Sequence, residues 1–480
     1  MHEQRRGKFS SQTYRLYLER KWKTMRLSLS LRYISSISTI LLTLSTHSAS
    51  AQTQRVSPYF KNLLVEHSDG TASIGLGDSN GIIEGMATGD QSAPRAALKK
   101  GSPFFGLLAL IVVDRMTGSV PDAVSDTELL KKSVRDMSIP YDVETLAYFA
   151  DVLGAGNKIL EGDMTGWIRA IDSVRNHYVV PVRQALNRPG LVFSDLDVLE
   201  PSIPVADIPE QSADIAPENH LAFSTPSRFV GQPGVYPHIK GTLNGAPMNF
   251  QLGTGSFIGA MPMEVFNAGH YREIGHIDSS VDTMGRKTAA RYVMADTITL
   301  DKSTFHNVIF KVTKSDFLTL GMGFLMQLPH ATLSQNALDF GSSAPYRCTI
   351  PIHLSMNMDG TALSLVFPLV SHHGMQLSAF STGLQGGTAF FTVTPHFTPA
   401  ELAQSGPTAG DTTHGLGFYR AVETPIDTSL YGIKLHDKVQ KVLAPYARAD
   451  FKMSLTANLL LYGNVSYDFA SGTACFTARH

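Results

Sequence analysis

The sequence predicts two architectures in one chain: an all-α helical-hairpin domain, then a mainly β half made of two related β units in tandem. Three observations predict this. Over residues 81–188, apolar residues recur at three- and four-residue spacing, and the runs stop at Gly or shortly before Pro. From Phe223 the texture changes to short alternating strands separated by Gly, Asn and Pro turns. The β half also matches itself at a near-constant offset. Thr254-Gly255 with Thr382-Gly383, Asp339-Phe340 with Asp468-Phe469, Cys348 with Cys475, and Gly245 with Gly374 all lie 127–129 residues apart.

Taken in order, the chain opens on a basic segment. Residues 1–32 carry nine Lys and Arg against Glu3 and Glu19, followed by the apolar run Tyr33–Ser45 and then Ala49-Ser50-Ala51. This is the pattern of a signal peptide over 1–51, cleaved after Ala51, with Met25 as an alternative start. An uncleaved anchor is the competing reading, but the run is short of the roughly 20 residues that a span needs. No later segment is a candidate span, so the expectation is an exported protein, periplasmic or secreted. Residues 52–80 read as a loose lead-in. Residues 81–188 form the helical domain, with runs such as FFGLLALIVVDRMTG and VETLAYFADVLGAG. Their lengths are loosely similar to tetratricopeptide-type helical repeats, without that consensus. A helical stack offers a groove for partners or simply packs. Residues 189–222 hold Pro189, Pro201, Pro204, Pro209 and Pro217 among aspartates and read as a linker.

Composition narrows the function. At 480 residues the chain is too long for one core. Hydrophobic content of 43% with 17% charged residues fits a globular protein. Forty basic against 41 acidic residues give no electrostatic case for nucleic acid as a partner. Two cysteines cannot build a cysteine zinc site, the histidines lack HExxH spacing, and His372-His373 diverge on a strand, so no metal or cofactor is expected.

The stretch NFQLGTGSFIGAM, 249–261, is the chemical question. A dinucleotide loop needs G-x-G-x-x-G opening a long helix; here the spacing is G-x-G-x-x-x-G, and only PMEVFNAG follows. Ser256 is not in a G-x-S-x-G elbow, because those glycine positions hold Thr254 and Ile258.

Each β unit resembles a retropepsin-like aspartic protease subunit, and the tandem over Phe223–His480 resembles the two lobes of a pepsin-like enzyme. The residues behind this are IKGTLNGAPMNFQLGTGS with PMEVFNAG and LTLGMGFLMQL in 223–348, and VSHHGMQLSAFSTGL with TPAELAQSG and LTANLLLYG in 349–480. The resemblance implies a hydrophobic-Asp-Thr-Gly turn in each lobe. Two aspartates sharing a proton would activate water, one as base and one as hydrogen-bond donor to the carbonyl. Here those positions hold Gly253 and Ser381, and neither supplies a base near neutral pH. Other Asp-Thr pairs occur at Asp282-Thr283, Asp296-Thr297, Asp411-Thr412 and Asp427-Thr428; Asp427-Thr428-Ser429 imitates the motif best but lacks the preceding hairpin. The resemblance therefore implies a pseudoprotease whose cleft turns, Gly253-Thr254-Gly255 and Ser381-Thr382-Gly383, bind a peptide or protein partner without cutting it. Two alternatives stay open: an active endopeptidase using another acid pair, and an assembly protein acting through its helical domain. The resemblance also implies a disulfide between Cys348 and Cys475 linking the lobes, with two buried thiols as the alternative.

Overall fold

The computed structural model describes residues 63–66, 71–74, 79–100, 103–134, 143–193, 196, 198–281, 287–371, 374–384, 387–412, 415–444 and 453–479. The signal segment 1–51, His372-His373 and Asp282-Thr283 lie outside the described residues.

The apolar periodicity becomes a stack of helices: α1 (Asn80–Thr88), α2 (Ser92–Lys100), α3 (Pro103–Met116), α4 (Val120–Ser133), α5 (Val143–Leu160), α6 (Met164–Val174) and α7 (Val180–Ala185). A π-helical turn, Arg175–Val179, joins the last two. α3 begins on a proline, which the first helical turn tolerates, and is buried from Gly106 through Met116. A helix apolar all round belongs in the interior, and α1, α2 and α4 pack against it. At the start of α6 the Asp163 carboxylate accepts the Gly166 N–H at 2.7 Å.

Two segments expected to be loose carry strands among their described residues. Within 52–80, β1 (Leu64–Glu66) and β2 (Thr71–Ile74) pair antiparallel, and β3 (Val192–Phe193) joins β2 in parallel. Ala72 and Ile74 give that lead-in a buried face, which alternation alone did not reveal in so short a run. The Pro- and Asp-rich stretch 189–222 is a strap rather than a solvated linker. Its strands β4 (Glu200–Pro201), β5 (Ser212–Asp214) and β6 (Asn219–Ala222) join the sheets of the β half. The prolines hold extended backbone suited to sheet edges, while Leu199, Ile208 and Leu221 are buried.

The C-terminal half is mainly β. Its first set of elements is β7 (His238–Leu243), β8 (Ala246–Gly253), β9 (Gly259–Pro262), α8 (Met263–Ala268), β10 (Arg272–Val281), β11 (Lys287–Leu300), β12 (Ser303–Thr313), β13 (Thr319–Gly321), α9 (Met322–Leu325), β14 (Ala331–Leu333) and β15 (Ala337–Phe340). The β7–β8 hairpin turns on Asn244-Gly245, at φ 48° and 81°, the two positive φ values of a type I′ turn. After β16 (Leu354–Ser355) comes a second set: β17 (Ser364–Ser371), β18 (Gly374–Ser381), β19 (Phe390–Thr394), α10 (Pro399–Gln404), β20 (Gly406–Thr412), β21 (Gly415–Leu430), β22 (Ile433–Leu443), β23 (Ser454–Thr456), a 3₁₀ turn Ala457–Leu461, β24 (Gly463–Asp468) and β25 (Thr473–Ala478).

The two sets pair alike. β13 runs parallel to β8 as β23 does to β18, and β9 parallel to β12 as β19 does to β22. β11 pairs with β7, β10 and β12; β21 pairs with β17, β20 and β22. A sheet in the order β25-β24-β14-β15-β6 joins the sets through the antiparallel β14–β24 pair.

This pairing corrects part of the offset reading. β14 corresponds to β24 and β15 to β25, so Asp339, in the second strand of its hairpin, does not match Asp468, in the first. Gly374 sits opposite Ser371 as Ala246 sits opposite Leu243, so it matches Ala246 rather than Gly245. The offset drifts as loop lengths differ. Cys348 lies in the connector after β15, and Cys475 in β25; they are not equivalent positions. They meet because the connector runs beside β25, where Ala474 N–H donates to the Ile350 carbonyl at 3.0 Å. Their Cα atoms are 5.7 Å apart.

The helical stack docks on the segment entering the second set. Trp167 Nε1 donates to the Asp359 carbonyl at 3.1 Å, and Met356 N–H donates to the Met86 carbonyl at 3.1 Å. Arg115 is fully buried beside Asp359, and burial lowers its guanidinium to about 10 against the raising influence of that carboxylate. Gly156 makes room for it: a Cβ there would overlap the guanidinium and the Met358 carbonyl.

Candidate functional site

The two predicted turns come together at the centre of the β half. Each begins at the end of the second strand of a hairpin, where the chain must leave the strand sharply. Ser256 N–H donates to the Gly253 carbonyl and Leu384 N–H to the Ser381 carbonyl, both at 3.2 Å. A parallel strand braces each turn, with Gly321 opposite Gly253 and Thr456 opposite Ser381.

Thr254 and Thr382 lock the turns to each other. Thr254 N–H donates to Thr382 Oγ1 at 3.0 Å, and Thr382 N–H donates to Thr254 Oγ1 at 2.9 Å. Each hydroxyl then donates across to a strand carbonyl, Thr254 to Phe380 at 2.8 Å and Thr382 to Leu252 at 2.7 Å. Both side chains are fully buried, so four reciprocal bonds satisfy groups that water cannot reach.

At the positions beside this grip, Gly253 offers no side chain. Its Cβ space is already filled: a Cβ at 253 would lie 2.5 Å from Thr319 Cγ2. Ser381 has its hydroxyl against the opposite turn, where a Cβ on Gly255 would overlap it; from Gly383 the same hydroxyl would be 4.0 Å from a Cβ. These glycines allow the turns to approach closely.

Strand alternation places Gln251 and Thr319 on the same face as the missing Gly253 side chain. Thr319 Oγ1 donates to Gln251 Oε1 at 3.0 Å, and His238 stands opposite Gln251 in register. Beyond them is an aromatic wall. His238 contacts the Phe317 ring at 4.9 Å, and Phe229 stacks on Tyr236 at 4.5 Å. Burial raises the Tyr236 hydroxyl. Val235 N–H donates to Asn458 Oδ1 at 2.7 Å, tying this wall to the second set. Sequence reasoning missed Gln251, Thr319, His238 and Phe317. The signal was present in LTLG, since Gly321 pairs with Gly253 and so carries Thr319 to Gln251.

The other Asp-Thr pairs in the described residues lie elsewhere. Asp427 is on β21 with its carboxylate 2.7 Å from His436 Nδ1 on β22, and Thr428 donates to the Val370 carbonyl. Asp296-Thr297 is within β11 and Asp411-Thr412 within β20. Among the described residues no group of three or more His, Cys, Asp or Glu could hold a metal ion, and no helix is long and apolar enough to cross a membrane.

The aspartyl protease family model matches residues 239–324, the span from β7 through α9. That stretch is similar to an aspartyl protease. The chain is also similar to a solved retropepsin-like aspartic protease from Rickettsia conorii, at 17% identity over 27% of this chain and 92% of that one, with a TM-score of 0.20. No curated protein matches. The matched stretch holds the Gly253 turn, the Thr319 strand and α9; the Ser381 turn lies beyond it.

Proposed function

We propose that the β half is a tandem, pepsin-like pair of lobes that binds an extended polypeptide between them without cleaving it. The observation that carries this reading is the retained threonine grip beside Gly253 and Ser381. The scaffold that aligns two carboxylates is complete in its hydrogen bonds, while the carboxylates themselves are replaced. Aspartic proteolysis requires one ionised and one protonated carboxyl at a shared water. A glycine and a serine hydroxyl supply neither, and the Thr319 methyl fills the space in which a group from residue 253 would start. Extended peptides can still be held in such a site by strand-like main-chain bonds. Phe317, Tyr236 and Phe229 give the first lobe an apolar wall for side chains.

The basic, apolar and Ala49-Ser50-Ala51 pattern supports export, and the Cys348–Cys475 approach supports an oxidised pair in that setting. Incubation with a pool of tryptic casein peptides, followed by gel filtration and mass spectrometry, tests the binding reading. Retained, uncut peptides with slowed amide exchange around 251–255 and 378–383 are expected; no retained peptide overturns it.

A further inference from the structure

We propose that the first half of β22 is a docking edge for an extended, acidic segment of a partner polypeptide. This rests on the equivalence of the two β sets, and not on what the cleft holds. In the first set, the chain itself covers the corresponding edge. β5 runs antiparallel along β12, with Asp214 opposite Thr304, Ala213 opposite Phe305 and Ser212 opposite His306. Around it, Ala216 N–H donates to Ser303 Oγ at 3.0 Å, and Asn307 Nδ2 donates to the Glu210 carbonyl at 2.8 Å. Asp214 Oδ2 lies 3.3 Å from His306 Nε2.

The hairpins β11–β12 and β21–β22 are built alike. Each turns over two residues, Asp301-Lys302 and Tyr431-Gly432, with Leu300 opposite Ser303 and Leu430 opposite Ile433. Counted from those turns, Lys434, Leu435 and His436 correspond to Thr304, Phe305 and His306. Phe305 and Leu435 are both fully buried, so the strand faces agree as well. The coverage does not. β22 pairs with β21 along its length but with β19 only from Val439 onward, and no other described strand pairs with Ile433–Lys438. In a two-residue hairpin the residues flanking the turn bond each other, so the next residue directs its N–H and C=O outward. Among the described residues, Lys434 and the His436 N–H therefore present an open edge. The His436 carbonyl does point outward, where it accepts the Tyr462 hydroxyl at 3.0 Å, a bond that a strand pairing beyond Lys434 would replace.

An open row of such groups is a template for another strand. The occupant's chemistry follows from the side chains. The incoming residue opposite Lys434 takes the place that Asp214 takes opposite Thr304. There it meets the exposed Lys434 ammonium and, diagonally, His436. His436 is engaged by Asp427 at 2.7 Å and Lys438 by Glu423 at 3.0 Å, which leaves Lys434 to receive a carboxylate.

The strap sequence supplies the probe. A fluorescein-labelled peptide of Pro209–Pro217 is titrated into the full chain and followed by anisotropy. Saturable binding is expected, weakened at least tenfold by Lys434→Pro, which removes an outward N–H that β22 does not use internally. An Asp214→Lys peptide should weaken binding similarly, while His306→Ala and Phe317→Ala in the protein should leave it unchanged. Melting curves establish that the variants are folded. No saturation at millimolar peptide overturns the proposal and makes Lys434 a guard against edge pairing. Loss of binding in His306→Ala overturns it in favour of strap exchange on β12, and loss in Phe317→Ala in favour of the cleft.

Discussion

Gly253 and Thr319 form a steric pair at the heart of the site. With Thr319 Cγ2 only 2.5 Å from the Cβ position, Gly253→Ala overpacks the turn. The expected cost is about 1–3 kcal/mol in urea unfolding. Thr319→Ser removes that methyl and keeps the hydroxyl that bonds Gln251, so in its presence Gly253→Ala should cost less than about 0.5 kcal/mol. Equal costs in both backgrounds would show that the space at 253 is open. The same pair bears on introducing a carboxylate: Gly253→Asp needs Thr319→Ser beside it to find room. The glycine at 253 and the serine at 381 were legible from the motif alone. Thr319 was not, because its place depends on a parallel pairing between segments far apart in sequence.

At the scale of elements, the threonine grip holds the two hairpin ends together. Thr254→Val removes one donor and one acceptor, leaving the Phe380 carbonyl and the Thr382 N–H buried without those partners. At about 1–3 kcal/mol for each unsatisfied group, a loss of roughly 2–5 kcal/mol is expected, and Thr254→Ser should recover most of it. The contact between the helical stack and the β half is expected to depend on pH. His353 Nδ1 lies 3.3 Å from Gln91 Nε2, and burial, then the nearby Arg95 charge, lowers its pKa. A base whose folded pKa is lowered resists protonation only when folded. Its stability contribution is thus full above the unfolded value near 6.5 and is lost as pH falls below it. His353→Gln should flatten the melting temperature between pH 7 and 5; an unchanged slope would contradict this. The helices were legible because their periodicity is local. The strap was not, since its prolines and aspartates have the composition of a solvated linker, and only the neighbouring edges of β10, β12 and β15 make strands of it.

For the whole molecule, the like pairing of the two strand sets was readable at the turns, where Thr254 and Thr382 recur, and less so toward the C-terminus. There, loop lengths shift the register and coincidental Asp-Phe and Cys matches mislead. The cysteines nevertheless approach each other, by way of the connector beside β25. A bond between them closes a loop over a separation of 127 residues and contributes at most about 5 kcal/mol in the chain-entropy model. Alkylation without reductant should leave both thiols unlabelled in the intact mass, and two added labels would refute the bond. The proposed role of the cleft is to hold polypeptide without cutting it. Its most direct test is digestion of unfolded casein by the purified protein from pH 3 to 8, read by mass spectrometry with and without pepstatin. The prediction is an intact substrate at every pH; cleavage that pepstatin abolishes would contradict it.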